Sequence, residues 1–464
     1  MFYGRSAELE KLEKLYNADE FQCVILYGRR RVGKTTLICE FCKDKKTIFF
    51  SALETNLSAN LTAMSRAVGM CENPNGAVYA DYNSFEDTFE KINEMSQQAR
   101  IVFVIDEYPY LADADKSISS VLQHFIDHRF SKSRLFMILC GSSMSFMENQ
   151  VLGYQSPLYG RRTAQFKIEP LDYLQSAEFN PGLSCEQKAL IYGITGGVPH
   201  YINKLNARKD FSRAVIDNFL DRTSYLFEEP GNLLKQELRE PAVYNAVITA
   251  VAGGATKLNE IAQKSSLETG PCSKYLSVLI ALGIVEKKQP MADSTKNKSV
   301  YCIKDNLFNF WFRFVPGNIP SITAGKLETV FERDVQPNLN HYMGKIFEDI
   351  CRQYLLYHAP DPPLVIKQIG CWWGNNPQLK RQEEIDILAT GENAALFGEC
   401  KWTNERVGVI HLDHLRRKSE LFKQFASKYF FLFSKSGFTD ELRKSTKSDK
   451  TVFLLELKDL YLYP

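Results

Sequence analysis

The sequence predicts an α/β chain whose leading domain is built on a parallel sheet, and three apolar runs predict it. FQCVILY (Phe21–Tyr27), IVFVIDE (Ile101–Glu107) and LFMILCG (Leu135–Gly141) are continuous rather than alternating, the pattern of strands buried on both faces. Each ends in residues suited to chemistry: a glycine-rich loop, two acids, and a pair of serines. The 464 residues exceed what one core fills and suit three or four units. A net charge of +2 with 44% apolar residues describes an ordinary globular chain rather than a polybasic coat for nucleic acid. No apolar run reaches spanning length and MFYGRSAELEKL turns polar at once, so the expected location is cytoplasmic, without membrane contact. The eleven cysteines are then expected to be reduced. Cys39 and Cys42 form a C-x-x-C pair with no second pair at zinc spacing, and His124 and His128 lack the glutamate of H-E-x-x-H.

After the first run, Gly28 to Thr36 reads GRRRVGKTT and matches G-x-x-x-x-G-K-[ST] at every fixed position. Such a loop wraps phosphates with its backbone N–H groups, and Gly28 and Gly33 permit the turn and the close approach. Lys34 is expected to reach the β and γ phosphates and Thr35 to offer its hydroxyl to Mg²⁺, with Thr36 completing the nucleotide-binding stretch. Strand before and helix after (LICEFC) make this a P-loop, so ATP and Mg²⁺ are the expected cofactors. Arg29 to Arg31 fill free positions of the motif. Asp106 is placed to hold the metal through water, Glu107 to polarise the attacking water, and Ser142 to sense the γ-phosphate. In PLYGRRT, Arg161 and Arg162 fit two readings: a charge stabiliser at the nucleotide of this chain or a neighbour, or a surface turn pairing with acids. The P-loop core is bounded at 1–170.

Residues 171–235 have helical periodicity and are read as a lid. Its ITGGVPHYINKL, with Gly196, Gly197 and Pro199, fits either the wall of an adenine pocket or a plain interhelical turn. The 236–317 segment holds three short helical patterns, the strands IVEKKQP and SVYCI with a wing between Lys287 and Lys298, and the aromatic docking element LFNFWFRFV. This order reads as a winged helix-turn-helix. Residues 241–305 contain eight lysines, no arginine and five acids, and the recognition helix offers Ser273, Lys274 and Ser277. Groove reading and protein contact both remain open. A linker is expected at 318–340.

The last domain, 341–464, begins with GKIFEDICRQYLL, whose Glu348 sits beside an apolar helical face. Then EEIDILAT, the turn GEN and AALFGECKW place Asp386 nearly opposite Glu399, with Lys401 two residues on and on the same face. Asp386 and Glu399 could hold Mg²⁺, Lys401 could orient a nucleophile, and Glu348 could complete the metal site. Arg416, Arg417 and Lys418 on the next helix could contact phosphates. The competing reading of this pattern is cross-strand salt bridging. The metal reading gives a restriction-endonuclease-like α/β domain.

Taken together, these motifs resemble the archaeal-type AAA+ ATPases that pair a P-loop core with a winged helix and a C-terminal PD-(D/E)xK nuclease-like domain. YGRRRVGKTT, VIDE, the GSS strand end, PLYGRR, TGGVPHY, LFNFWFRF, and IDI with GECKW carry the resemblance across essentially the whole chain. It implies ATP and Mg²⁺ at the positions above. Relatives in the signal-transducing (STAND) class use nucleotide state as a conformational switch. The chain departs from the nuclease signature in having Ile385, not proline, before Asp386, a position that supplies no metal ligand. The expected activity is ATP hydrolysis coupled to metal-dependent action on nucleic acid, DNA first. The alternative is a nucleotide-switched interaction protein that binds nucleic acid, a protein partner or a second copy of itself.

Overall fold

In a computed structural model, residues 2–76, 81–205, 210–291, 298–377 and 379–462 are described. The chain divides into two compact units: Met1–Leu171 with Val198–His200, and Asp172–Gly197 with Tyr201–Pro464. Among the described residues, no helix is long and apolar enough to cross a membrane.

The first unit is built on strands β1 (Gln22–Tyr27), β2 (Thr47–Ser51), β3 (Ile101–Asp106), β4 (Leu135–Gly141) and β5 (Ala164–Lys167). All pair in parallel, in the order β2-β3-β4-β1-β5. Every β1 residue is buried. Cys23, Ile25 and Tyr27 pack with Phe50, Phe89, Phe103 and Leu139, while Val24 and Leu26 pack with Phe41, Val104 and Ile138. Both faces are therefore covered, which explains the continuous apolar runs. The helix Phe85–Gln98 starts at Ser84, whose Oγ accepts the Asp87 N–H (3.0 Å). It carries Phe89 edge-on to Phe103, Phe125 and Phe130.

The second unit opens with helices whose starts are written in the sequence. Asp172 with Gln175 and Ser184 with Gln187 form capping boxes for Tyr173–Ala177 and Cys185–Thr195. Helices Pro241–Ala252, Leu258–Lys264 and Thr269–Ala281 then surround a core of Val247, Ile248, Leu276 and Phe308. An antiparallel pair follows, β6 (Val285–Lys288) and β7 (Val300–Ile303). The wing expected between them falls largely on residues 292–297, outside the described residues. The aromatic segment is the helix Asn306–Phe314, where Phe310 meets Phe219 (4.9 Å) and Tyr342 (5.5 Å). These aromatics pack within the second unit.

The segment expected as a linker is instead a series of short helical turns, Ile319–Thr323, Leu327–Val330, Phe331–Val335 and Gln336–Asn338, leading into the helix Leu339–Gln353. Burial of Ile322, Val330, Phe331 and Val335 ties it down. Nor do the helices of 171–235 stand apart from the C-terminal part. Tyr342 Oη donates to Gly193 O (2.7 Å), Gln353 Nε2 to Tyr192 Oη (2.7 Å), and Tyr173 Oη to Leu460 O (2.5 Å).

A mixed sheet completes this unit: β8 (Gln368–Asn376), β9 (Arg381–Thr390), β10 (Ala394–Lys401), β11 (Ser427–Ser434) and β12 (Val452–Glu456), in the order β12-β11-β10-β9-β8. β8, β9 and β10 are antiparallel neighbours, while β10, β11 and β12 run parallel. The β9–β10 turn closes with the Gly391 N–H on Ala394 O (2.9 Å). That sets the register from Ala395 opposite Thr390 to Gly398 opposite Ile387. A Cβ on Gly398 would lie 2.8 Å from Ile387 Cβ, so glycine is what lets the strands approach there.

Candidate functional site

At the C-terminal edge of the first sheet, β4 lies between β3 and β1, so the ends of three strands meet. A Cβ on Gly28 would fall 2.3 Å from Ile168 O, which only glycine avoids. Gly33, at φ 91°, starts the helix Lys34–Cys42. Lys34 is buried, its Nζ donating to Gly28 O (2.9 Å) and Arg29 O (3.0 Å), and burial depresses its pKa against the pull of Glu107 and Asp106. Thr35 Oγ1 donates to Asp106 Oδ2 (2.9 Å). Thr36 is exposed in the same first turn. Glu107 sits in the left-handed region, φ 51°, a strained backbone of the kind found at functional sites. Its Oε2 accepts from Ser142 Oγ (2.8 Å) and the Ser142 N–H (3.2 Å).

Three further residues bear on this site. Pro199 Cγ, in the Val198–His200 stretch that belongs to the first unit, lies 3.7 Å from where a Cβ on Gly33 would stand, so Pro199 reaches the loop. Arg161 is engaged elsewhere, forked onto Asp127 (2.9 and 2.8 Å) with NH1 on Pro157 O and Tyr159 O. That is the surface-turn geometry of the two readings. Arg5, passed over in the sequence as part of a polar N-terminus, is buried at φ 64°. Its guanidinium donates to Val32 O (3.3 Å) in the loop and to Glu169 O, and pairs with Glu8 (3.1 Å). Cys39 and Cys42 are free thiols on the helix after the loop, and the rings of His124 and His128 sit 4.7 Å apart on Ile118–His128.

The second unit gathers its polar residues at the splayed end of β9 and β10. One step beyond the paired ladder, the Cys400 N–H donates to Asp386 Oδ2 (2.9 Å). Carboxylate oxygens of Glu348, Glu384 and Asp386 lie within 4.8 Å of one another. Glu384 is the residue the sequence reading missed. It stands two before Asp386 on one strand, so period-2 alternation places both on one face. Glu399, read as a metal ligand, is held otherwise: Lys401 Nζ is 2.6 Å from its Oε1 and Lys418 Nζ 3.2 Å from its Oε2. Burial would raise its pKa, but these two ammoniums outweigh it and hold the carboxyl below its ordinary value. Glu348, by contrast, is pushed up to about 7, first by burial and then by the Asp386 charge. Asp386 is pushed up to about 6 by burial and by Glu399. Lys345 Nζ bridges Glu384 (2.6 Å) and Glu348 (3.2 Å).

Three crowded carboxylate oxygens, those of Glu348 and Asp386 with raised pKa values, suit a hard divalent cation such as Mg²⁺. The basic run expected to contact phosphates is committed within the chain. Arg416 pairs with Asp449 (2.6 Å), Arg417 with Glu383 (3.6 Å) and Lys418 with Glu399.

A glycine-bounded loop between strand and helix, an acid pair ending the neighbouring strand and a parallel sheet define the first unit as a P-loop ATPase fold. Residues 2–205 match the family described as an ATPase domain predominantly from Archaea, and residues 311–414 match one described as archaea bacterial proteins of unknown function. An uncharacterised protein of Methanocaldococcus jannaschii is 31% identical over 434 residues, covering 91% of this chain and 92% of that protein. An uncharacterised ATP-binding protein of Pyrococcus abyssi is 22% identical over 284 residues, 52% of this chain and 83% of the relative. Among solved structures, a Walker-type ATPase of Pyrococcus abyssi superposes with a TM-score of 0.53 at 19% identity, over 67% of this chain and 96% of that one, which shows a shared fold. The chain belongs to one family with the Methanocaldococcus jannaschii protein, and its leading domain is the archaeal-type P-loop ATPase domain.

Proposed function

We propose that the chain binds and hydrolyses ATP with Mg²⁺ at the P-loop, and that its C-terminal sheet is a metal-dependent nuclease-like domain acting on nucleic acid, DNA first. The observation that carries the second half is the convergence of Glu348, Glu384 and Asp386, with Lys401, paired to Glu399, close enough for its charge to act on Asp386. In the first half, Lys34 exchanges its loop carbonyls for phosphate oxygens, Thr35 and Asp106 hold the metal, and Glu107, released by Ser142, takes the proton of the attacking water. Ser142 thereby reports the γ-phosphate to the base. Arg161 could enter only by leaving Asp127.

At the second site a divalent cation would lie against Glu348, Glu384 and Asp386, activating water and stabilising the leaving oxygen of a phosphodiester. Lys401 orients the nucleophile, and Glu399 with Lys418 sets where that ammonium stands. The three helices and the hairpin of 241–303 are read as a winged helix that ATP binding repositions. The test is cleavage of plasmid and single-stranded DNA with Mg²⁺ or Mn²⁺, with and without ATP, beside Asp386→Ala. Cleavage lost in the variant establishes the nuclease, and its response to ATP establishes the coupling.

One observation favours a second reading, a nucleotide-switched protein whose C-terminal domain binds without cutting. Lys345 spans two of the three acids and supplies a resident positive charge. Partner or DNA affinity retained in Asp386→Ala, with no cleavage by the parent, would select it.

A further inference from the structure

The helix that delivers Glu348 presents a second polar feature outside the metal cluster. His341, Lys345 and Glu348 are spaced i, i+4 and i+7 on Leu339–Gln353, hence on one face, and about 10 Å separates the first from the last. Against His341 Nδ1 lies Arg313 NH2 (3.1 Å), from the preceding aromatic helix. Arg313 is exposed and, among the described residues, paired with no carboxylate, unlike Arg333 beside it in the same pocket. It borders an open pocket of about 490 Å³ shared with Asn318, Arg333, Asp334 and Asn338. Arg333 is forked onto Asp334 and donates to Asn318 Oδ1 (3.3 Å), which fixes its plane at the rim. One carboxylate against two guanidiniums leaves the pocket net positive.

We infer that this Arg313 pocket holds a backbone phosphodiester of nucleic acid, a few nucleotides from the bond presented to Glu348, Glu384 and Asp386. A guanidinium with no carboxylate partner among the described residues, held by His341 and the Phe314 ring, offers the fork that phosphate oxygens accept in pairs. The open shape admits a phosphate still carried on its sugar chain. The rise of about 10 Å from His341 to Glu348 along the helix is short enough for one strand to reach both the pocket and the triad. Lys345 stands between them on the same face, its ammonium held by Glu384 and Glu348. The pocket supplies no sequence readout; it fixes the register of the strand on the site.

The inference rests on the nuclease-like reading of the carboxylate cluster, yet its test is binding in EDTA, which needs no cleavage. Short fluorescein-labelled DNA single strands and duplexes are titrated with the full chain and followed by anisotropy over a range of salt. Arg313→Ala should weaken binding about fivefold to tenfold and lower the slope of log K against log salt by about 1, with Arg313→Lys in between. Arg333→Ala, from a different element, should weaken it in the same direction. Unchanged DNA affinity in both alanine variants overturns the inference. So does a parent that binds inorganic phosphate through Arg313 while its DNA affinity ignores that residue, which marks a free-phosphate site. Arg313-dependent binding without cleavage by the parent leaves the inference standing and removes the nuclease reading. Cleavage with Arg313-independent binding does the reverse.

Discussion

At the P-loop the one buried ammonium, Lys34, is satisfied by two carbonyls of its own loop, and Thr35 and Ser142 are satisfied by Asp106 and Glu107. The C-terminal cluster is arranged differently. Four carboxylates and three lysines crowd the end of β9 and β10, and burial, with the neighbouring charge of Asp386 on Glu348 and of Glu399 on Asp386, raises both pKa values. One site is held by backbone, which phosphate can replace group for group. The other is held by side-chain charge, which a cation, a proton or a substitution redistributes. The first should therefore respond to mutation locally, the second through pH and metal.

The largest expected effects would separate the two sites. Lys34→Ala should remove ATP turnover, while Asp386→Ala should lower DNA cleavage by roughly a hundredfold or more and leave ATP turnover within about twofold. If Asp386→Ala also stopped ATP turnover, the two sites could not be treated as distinct. Next in size, Glu384→Gln should weaken Mn²⁺ binding about tenfold or more by calorimetry, whereas Glu399→Gln should change it little. The opposite order would restore Glu399 as the ligand. Gly398→Ala forces β9 and β10 apart at Ile387 and should cost about 1–3 kcal/mol in urea unfolding, more than the same change at exposed Gly182, where a Cβ meets nothing within 4 Å.

The smallest effect concerns protons. A carboxyl whose native pKa lies above its unfolded value binds protons more tightly when folded, so stability falls as pH rises through that window. For Glu348 the window runs from 4.5 to about 7. Glu348→Gln should therefore raise the thermal midpoint by about 2–4 °C at pH 8 and not at pH 4.5. A gain of equal size at both pH values would mean that burial and the Asp386 charge do not penalise the ionised Glu348 carboxylate.

The same contrast explains what could be read from the sequence. β1, β3, β4 and the P-loop were legible because each is contiguous and its burial pattern repeats its function. Asp386 opposite Glu399 was legible because register can be counted outward from Gly391–Asn393. Partner choice was not. Glu399 is taken by Lys418 from a helix 19 residues on, and Arg161 by Asp127, 34 residues back. Nothing local to either residue announces such pairings. Glu384 was within reach, since alternation from Asp386 points to it. The expected linker failed because its apolar residues, Val330, Phe331 and Val335, follow helical turns too short to show a clear period.

The contact between Tyr173 and the Leu460 carbonyl joins residues 287 apart. A ribosome delivers the chain from its N-terminus, and domains fold as units as they emerge. Nearly all of the first unit is available once residue 171 is out, but the helices that follow must wait for residue 460 before their own packing is complete. During that interval Tyr173 and its neighbours are exposed apolar surface, and the long wait is where a chaperone would be expected to act on this protein.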